Sequence, residues 1–204
     1  VMVGAIKFIP AVLVLFVNVL CGYSQEGWSA VADPEAVSYA FNASLGRIRT
    51  IDCRFVQEKY VDVLESKAVS EGTFSFSAPD RILIVYLSPE QSSVEIDGNT
   101  VTSVGNGGRK TVKDMSSDRR YARIKAMIAS GPDAYMQGQK KQTMVSVYER
   151  GDEYMFEIRP QGIRMKIRII AEKNDMSVSS FRMEEPDGDY TEFFFTDRKV
   201  TFGE

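Results

Sequence analysis

The clearest hydrophobic pattern in the chain runs from Gly72 to Gly98. Phe74 and Phe76 alternate with hydroxyl residues, a period of two that places both rings on one face of a strand. The next segment, Arg81 to Leu87, is apolar on both faces, whereas an antiparallel strand with one face in water alternates apolar and polar residues. The pattern therefore predicts that both faces of this strand are covered, by other parts of the protein or by an apolar ligand.

Turn signals divide this stretch into an antiparallel meander. Pro79 and Pro89 interrupt it, because proline has no N–H to give to a strand ladder. A third strand ends at Asp97-Gly98, a dipeptide typical of tight hairpins. The stretch thus predicts three consecutive strands that pair with their neighbours in the sequence.

Two segments predict helices. Asp33 is a good N-cap before Pro34, apolar residues follow at helical spacing, and Gly46 is a plausible end. This helix packs on the sheet or acts as a lid, and the spacing favours neither. The second helix follows Ser116-Ser117 and ends before Gly131, and its basic side chains lie mostly opposite one apolar face. We expect that face to pack on the core, or, as the alternative, to form a mobile lid helix with Tyr121, Ile124, Met127 and Ile128.

The remaining pattern is that of strands joined by hairpins. Alternating segments cover residues 48–63, 101–104, 143–148, 153–159, 163–171, 178–183 and 191–195. The polar residues 66–72 predict a hinge between two of these segments. The total of about ten antiparallel strands with two to three helices predicts a mainly β fold, either a closed barrel or an open, curved sheet covered by helices.

The order of these elements resembles a known family. The pattern S-x-G-x-F-x-F-x-x-P ending at Pro79, a second proline ten residues later, a hydrophobic strand and Asp-Gly are similar to the outer-membrane lipoprotein carrier family, LolA. A helix followed by a strand that bears Phe55-Val56-Gln57 is also similar to that family. The resemblance covers most of residues 33–202, and it depends on order and spacing, not on one motif. It implies an incomplete, half-open β-barrel of antiparallel strands covered by helices.

One position departs from the family. LolA-like carriers often have an arginine directly before the first proline of the meander, where it ties the sheet to the lid, and this chain has Ala78 there. By alternation, Arg81 falls on the opposite face from Phe76 and Ile82. Closure of a lid in this chain is therefore expected to depend on apolar contacts or on another partner.

The composition limits the classes of function that the sequence supports. The chain has 204 residues, 44% of them hydrophobic, a net charge of −3 and no histidine. The negative net charge does not indicate the basic surface that binds nucleic acid. The absence of histidine removes the commonest general base and the commonest metal ligand. The loop at Gly105 to Gly108 lacks the lysine and hydroxyl residue of a phosphate-binding loop. We expect no enzyme activity, no cofactor and no metal, since acidic residues such as Glu184 and Glu185 lie at strand ends or turns.

The first segment resembles a secretory signal peptide. Lys7 precedes an apolar run from Phe8 to Leu20, which is short for a membrane span of about 20 residues. The sequence predicts a cleaved signal peptide over residues 1–24 and a single domain over 25–204. The alternative is a lipid anchor at Cys21, although the large Leu20 disfavours it. Without Cys21, the mature chain keeps only Cys53, so no internal disulfide is expected.

The resemblance implies a periplasmic carrier, in a Gram-negative bacterium, that shields lipoprotein acyl chains and moves them from the inner to the outer membrane. Cargo would come from an inner-membrane lipoprotein-releasing ABC transporter and pass to an outer-membrane acceptor or the membrane itself, and the carrier would be a monomer. The alternative is a periplasmic regulatory module on the same fold that senses lipid or protein. We expect acyl chains to contact inward-facing apolar residues, some of which are plain core: Phe55, Phe74, Phe76, Ile82, Ile84, Tyr86, Val94, Ile96, Phe156, Met165, Ile167, Phe181, Met183, Phe193 and Phe195.

Overall fold

The computed structural model describes residues 27–118, 143–160 and 164–203. Within these ranges the chain forms one α-helix and one antiparallel sheet of twelve strands. The helix is α1 (Pro34–Arg47). The strands are β1 (Ser29–Ala30), β2 (Ile48–Val61), β3 (Ser66–Ser77), β4 (Arg81–Ser88), β5 (Ser92–Asp97), β6 (Thr100–Val104), β7 (Lys110–Asp114), β8 (Thr143–Arg150), β9 (Glu153–Pro160), β10 (Lys166–Glu172), β11 (Val178–Glu184) and β12 (Tyr190–Phe202).

The strand order in the sheet is β1-β8-β9-β10-β11-β12-β2-β3-β4-β5-β6-β7. From β8 to β12 and from β2 to β7, each strand pairs with the next strand in the sequence, and β12 pairs with β2 across the middle. The two outermost strands, β1 and β7, each have one neighbour, so the sheet is open. The prediction of a mainly β, open antiparallel sheet is confirmed.

The predicted cover of two to three helices is seen in part. The part of the chain that the structure describes contains α1 and a short 3-10 turn, Asp62–Leu64. The predicted second helix, with its lid residues Tyr121, Ile124, Met127 and Ile128, lies outside the described residues. The described sheet is therefore covered by one helix, over only part of its width.

Helix α1 forms where its capping residues predict it. The Asp33 side chain accepts a hydrogen bond from the backbone N–H of Ala36 at 2.9 Å, which satisfies one of the free donors at the helix start. Pro34 occupies the first position, and Glu35 lies in the first turn, near the positive end of the helix dipole. The helix ends at Arg47, one residue beyond the predicted end at Gly46.

Several strands were missed or shortened in the sequence-based prediction. The segment 66–72, predicted as a hinge, is the first half of β3 and pairs with β2 throughout, as in the pair Val61–Ser66. Its side chains are mostly exposed, so the strand lacks the apolar alternation that identifies strands from sequence. The short β1 and the fully exposed β7 were missed for the same reason. Residues 164 and 165 are not part of a strand, and β10 begins at Lys166. Residue 163, where the sequence predicts this strand to begin, lies outside the described residues.

The hydrophobic core lies between α1 and the sheet. The rings of Phe41, on α1, and Phe156, on β9, stack with their centroids 4.4 Å apart. Both side chains are almost completely buried. The cluster around them contains Val147, Ile158, Ile167, Ile169 and Ala171. The core thus belongs to the half of the sheet formed by β8 to β10.

None of the helices in the described ranges is long and apolar enough to cross a lipid bilayer.

Candidate functional site

The pairing register places the predicted acyl-binding residues on one side of the sheet, which we call the apolar face. Residues directly opposite each other on neighbouring strands share a face. Phe74 is opposite Ile84, and Phe55 is opposite Phe195. Of the predicted residues, Met165 alone lies outside a strand, directly before β10. The others lie together on the apolar face: Phe55, Phe74, Phe76, Ile82, Ile84, Tyr86, Val94, Ile96, Phe156, Ile167, Phe181, Met183, Phe193 and Phe195.

Helix α1 divides the apolar face into two halves. Over β8 to β11, Phe156 and Ile167 are buried in the core beneath the helix, and Met165, Phe181 and Met183 pack against that core. These five residues thus contribute to the packing of the described core. They were predicted to contact a ligand, and the structure gives them a packing role as well.

The second half carries an aromatic cluster that lies outside the core cluster beneath α1. Its members are Phe55, Phe74, Tyr86, Phe193 and Phe195. The Phe55 ring meets the rings of Tyr86 and Phe193 edge-on, at centroid distances of 5.4 and 5.6 Å. Phe195 lies 6.1 Å from Phe74 and 6.2 Å from Phe193. Only Phe55 is fully buried, and the other four rings are half-buried. The cluster is therefore a continuous, partly accessible apolar surface.

A small cavity lies between the two halves of the apolar face. Its volume is about 70 Å³, and its walls include Leu45 of α1, Cys53, Phe74, Phe195 and Val200. An apolar cavity of roughly 150 Å³ accommodates benzene. The cavity as it stands therefore holds less than one benzene-sized group, and a longer apolar ligand would extend from it along the aromatic cluster.

Polar groups occur at one side of this cavity. Arg198, on β12, forms an ion pair of 3.1 Å with Glu172 at the end of β10. Arg198 and Asp175 both line the cavity, together with Ser44, whose hydroxyl donates to the Asp175 carbonyl oxygen at 3.3 Å. This side of the cavity is thus closed by contacts between α1, the β10–β11 turn and β12.

The Cys53 thiol lines the cavity, and its environment gives it low reactivity. Burial raises its pKa to about 11, and the positive charge of Arg198 offsets only part of that effect. Because the thiolate is the nucleophile, a protonated buried thiol reacts slowly. Cys53 is thus a small buried residue that contributes to the packing around the cavity.

Two cavity residues, Ile51 and Cys53, were not among the predicted acyl-binding residues, although the alternation along β2 indicates them. Ile51 and Cys53 alternate with Phe55 along β2, and the register places all three on the apolar face. A strict period of two from Phe55 would have found them.

Val200 could not be found in this way. Strand β12 has a register shift between Thr196 and Lys199, and Asp197 within it adopts a positive φ of 52°. Beyond the shift an even-numbered residue, Val200, is opposite Ile51 and joins the odd-numbered phenylalanines on the apolar face. A bulge of this kind changes which residues face inward without any clear mark in the sequence.

The opposite side of the sheet, which we call the charged face, carries ion pairs. Lys166 contacts Glu184 at 2.9 Å, and Arg182 contacts both Glu184 and Glu192, at 3.3 and 3.1 Å. The Arg182 guanidinium also lies 3.6 Å from the centroid of the Tyr190 ring. The side of the sheet opposite the apolar face is thus charged, and its side chains pair with one another across the strands.

Within the ranges that the structure describes, no group of three or more histidine, cysteine, aspartate or glutamate side chains is arranged to hold a metal ion.

These features define a mainly β protein with an open sheet and one long apolar face. Residues 46–201 match the family described as outer membrane lipoprotein carrier protein LolA. The chain therefore belongs to the LolA family, as its sequence pattern predicted. Comparison with curated protein sequences found no match.

Similar solved structures are distant in sequence. A LolA-superfamily protein from Nitrosomonas europaea is 8% identical, with a TM-score of 0.40 over 80% of this chain and 93% of that chain. A DUF1329-family protein from Desulfovibrio piger is 11% identical, with a TM-score of 0.44 over 84% and 95%. The MucA/MucB complex of Pseudomonas aeruginosa contains a chain that is 10% identical, with a TM-score of 0.48 over 83% and 58%. Membership of the LolA family rests on the match over residues 46–201.

Proposed function

We propose that the protein is a periplasmic carrier that shields the acyl chains of lipoproteins on the apolar face of its sheet. The observation that supports this most strongly is the aromatic cluster of Phe55, Phe74, Tyr86, Phe193 and Phe195. It is continuous, it lies beside a cavity and outside the core cluster beneath α1, and four of its five rings are half-buried. A core that served stability alone would gain from burying these rings completely.

The free energy of transfer explains why such a surface suits an acyl cargo. Each methylene group exposed to water costs about 0.8 kcal/mol relative to an apolar environment. A lipoprotein anchor with two or three acyl chains therefore needs cover whenever it leaves a bilayer. The carrier needs no covalent chemistry for this task, and we propose none.

The small cavity suggests where cargo would enter. A chain inserted beside Leu45 would follow Phe74 and Phe195 towards Phe55, since these side chains lie next to one another on the apolar face. We propose that cargo binding widens the gap between the C-terminal turn of α1 and β12. The Arg198–Glu172 ion pair beside the cavity would have to adjust during that widening.

The proposal includes the route of the cargo. We propose that an inner-membrane ABC transporter loads the carrier and that the outer membrane, or an acceptor in it, receives the cargo. The predicted signal peptide over residues 1–24 would bring the chain to the periplasm.

A pair of neighbouring substitutions on β4 tests the acyl-binding face. Ile84 lies on the apolar face opposite Phe74 and Val94, and Val85 points to the other side of the sheet, opposite Thr73 and Ser93. Both side chains are half-buried. We expect Ile84→Glu to weaken binding of a fluorescent dipalmitoylated peptide by at least about tenfold, the cost of exposing roughly two methylene groups.

Val85→Glu is the matched control and is expected to bind the peptide like the unchanged protein. The thermal unfolding of both variants is measured alongside, because Ile84→Glu also lowers stability. If the two variants unfold at similar temperatures and bind equally well, acyl chains do not use the apolar face. If the unchanged protein binds no acylated peptide but binds a periplasmic protein segment, the regulatory-module alternative is favoured.

A further inference from the structure

The apolar face changes its chemistry towards the β7 edge of the sheet. One row of directly opposed side chains begins with Phe74, Ile84 and Val94 on β3, β4 and β5. The same row continues with Ser103 on β6 and Thr111 on β7. Because opposed residues share a face, these hydroxyl groups lie on the same surface as the aromatic cluster.

Two neighbouring rows show the same change. In one, Ile96 on β5 is opposite Val101 on β6, which is opposite Lys113 on β7. In the other, Tyr86 of the aromatic cluster is opposite Ser92 on β5. Strands in a sheet are about 4.8 Å apart, so the distance from Ile84 on β4 to β7 is roughly 14 Å. The apolar face therefore has an apolar centre and a polar, cationic end.

A cavity marks this polar end. Its volume is about 410 Å³, and its walls include Ser92, Ser103, Thr111, Asn106 and Arg109. Hydroxyl, amide and guanidinium groups can all donate hydrogen bonds to the oxygens of a phosphate. The cavity is large and open enough for a polar group that remains in contact with water.

The charge at this end is positive. Arg109 and Lys113 are exposed, and neither forms an ion pair with another residue of the described chain. The carboxylate of Asp114 lies on the opposite face, since Asp114 is opposite Thr100 and adjacent to Lys113. The carboxylate nearest in sequence to Ser92 is that of Glu90, which is exposed in the turn before β5. An anionic group at this end would thus meet two cations that form no ion pair within the described residues.

We propose that the polar end of the apolar face binds the phosphodiester headgroup of an acidic glycerophospholipid, whose acyl chains lie along the aromatic cluster. This inference rests on the proposed function, because it uses the same face for the acyl chains, and it adds a class of ligand. The arrangement suits an amphiphile, with tails at the centre of the sheet and the headgroup at its open edge.

The test compares two fluorescent lipids with identical acyl chains, phosphatidylglycerol and phosphatidylcholine, titrated into the purified full chain. We expect phosphatidylglycerol to bind about tenfold more tightly, because it offers a net negative charge to charge-assisted hydrogen bonds. The preference should decrease as salt is raised, since exposed charges are screened over about 10 Å at 0.1 M. The double variant Arg109→Gln/Lys113→Gln should lose the preference and keep the affinity for phosphatidylcholine.

Lys110→Gln is the control, because Lys110 is opposite Val104 and lies on the other side of β7. It removes a positive charge from the same strand and should leave the preference intact. Equal affinity of the unchanged protein for both lipids would overturn the headgroup site and leave the acyl carrier in place. Failure to bind either lipid or an acylated peptide would overturn both proposals. Loss of the preference in the presence of dilute inorganic phosphate would show that the site takes free phosphate, and would overturn the lipid assignment.

Discussion

The ring of Phe55 lies against Gly72, its direct partner on the neighbouring strand β3. A Cβ atom placed on Gly72 would be 2.6 Å from Cζ of Phe55 and would also collide with the backbone oxygen of Val85. The glycine therefore provides the space in which the central ring of the aromatic cluster is buried. It lies on the apolar face between Phe55 and Tyr86, which is why those two rings can meet edge-on.

This relationship gives a first prediction, for Gly72→Ala. The added methyl group has no free space, and the carbonyl of Val85 cannot rotate away as a side chain can. Overpacking of this kind costs roughly 1–3 kcal/mol. We expect a loss of that size in the free energy of unfolding, measured by urea denaturation.

Gly46→Ala is the control for that measurement. A Cβ on Gly46 would meet nothing within 4 Å, and this glycine lies in α1. Alanine in a helix is more stable than glycine by about 0.5–1 kcal/mol, so this variant should be neutral or more stable. Equal stability of the Gly72→Ala and unchanged proteins would mean that the Phe55 ring does not occupy the space above Gly72.

A second prediction concerns the attachment of α1. Phe41 stacks on Phe156 and is 1% exposed, so Phe41→Ala would leave a cavity beneath the helix. Truncation of a buried phenylalanine costs about 3–5 kcal/mol. Tyr39→Ala on the same helix, at a side chain that is 75% exposed, should change stability by less than about 0.5 kcal/mol. A small effect at Phe41, measured by the same denaturation, would show that α1 is not anchored through this ring.

The sequence could predict much of this architecture because its strongest strands are apolar on alternate positions. Phe74 and Phe76 identified one face, and the pairing register extended that face across the sheet. Asp33 and Pro34 likewise mark the start of α1. These features are local, so a sequence pattern is enough to find them.

Other features depend on pairing between distant strands. The polar first half of β3 is held by backbone hydrogen bonds to β2, which have no signature in side-chain polarity. The bulge at Thr196 in β12, which brings Val200 to the cavity, is a property of the pair β2–β12. The division of the apolar face into a core and an accessible cluster depends on where α1 lies, and periodicity alone does not give that position.

A third prediction concerns the Cys53 thiol. Burial raises its pKa from 9.0 to about 11, so the folded protein holds this proton more tightly than the unfolded chain does. The protonated thiol therefore contributes fully to the free energy of unfolding below about pH 9, and this contribution is lost as the pH rises towards 11. We expect the unchanged protein to lose stability over this range and Cys53→Ala to lose less. An equal loss in both proteins would contradict the buried, protonated thiol.

The same thiol can report on cargo. In a Cys21→Ser background, reaction of Cys53 with a thiol reagent near neutral pH should be slow and should become fast in denaturant. Because Cys53 lines the cavity beside Phe74, a bound acylated peptide should slow the reaction further. Fast labelling of the folded protein would show that the cavity is open to water.

The last prediction concerns the charged face and acid. Burial alone would raise the pKa of Glu184, but the hydrogen bond from Lys166 and the charges of Lys166, Arg182 and Arg168 outweigh it, and the pKa lies below its usual value of 4.5. The folded state therefore favours the carboxylate. This contribution is present above pH 4.5 and is lost as the pH falls through the lowered pKa.

We expect Glu184→Gln to cost about 0.5–1 kcal/mol near neutral pH, a modest effect because both partners of the ion pair are about one quarter exposed. The difference between the two proteins should shrink as the pH falls below 4.5, because Glu184 becomes neutral in the unchanged protein too. Urea denaturation at a series of pH values measures this difference. If it stayed constant into strong acid, the loss in Glu184→Gln would come from packing and not from the ion pairs with Lys166 and Arg182.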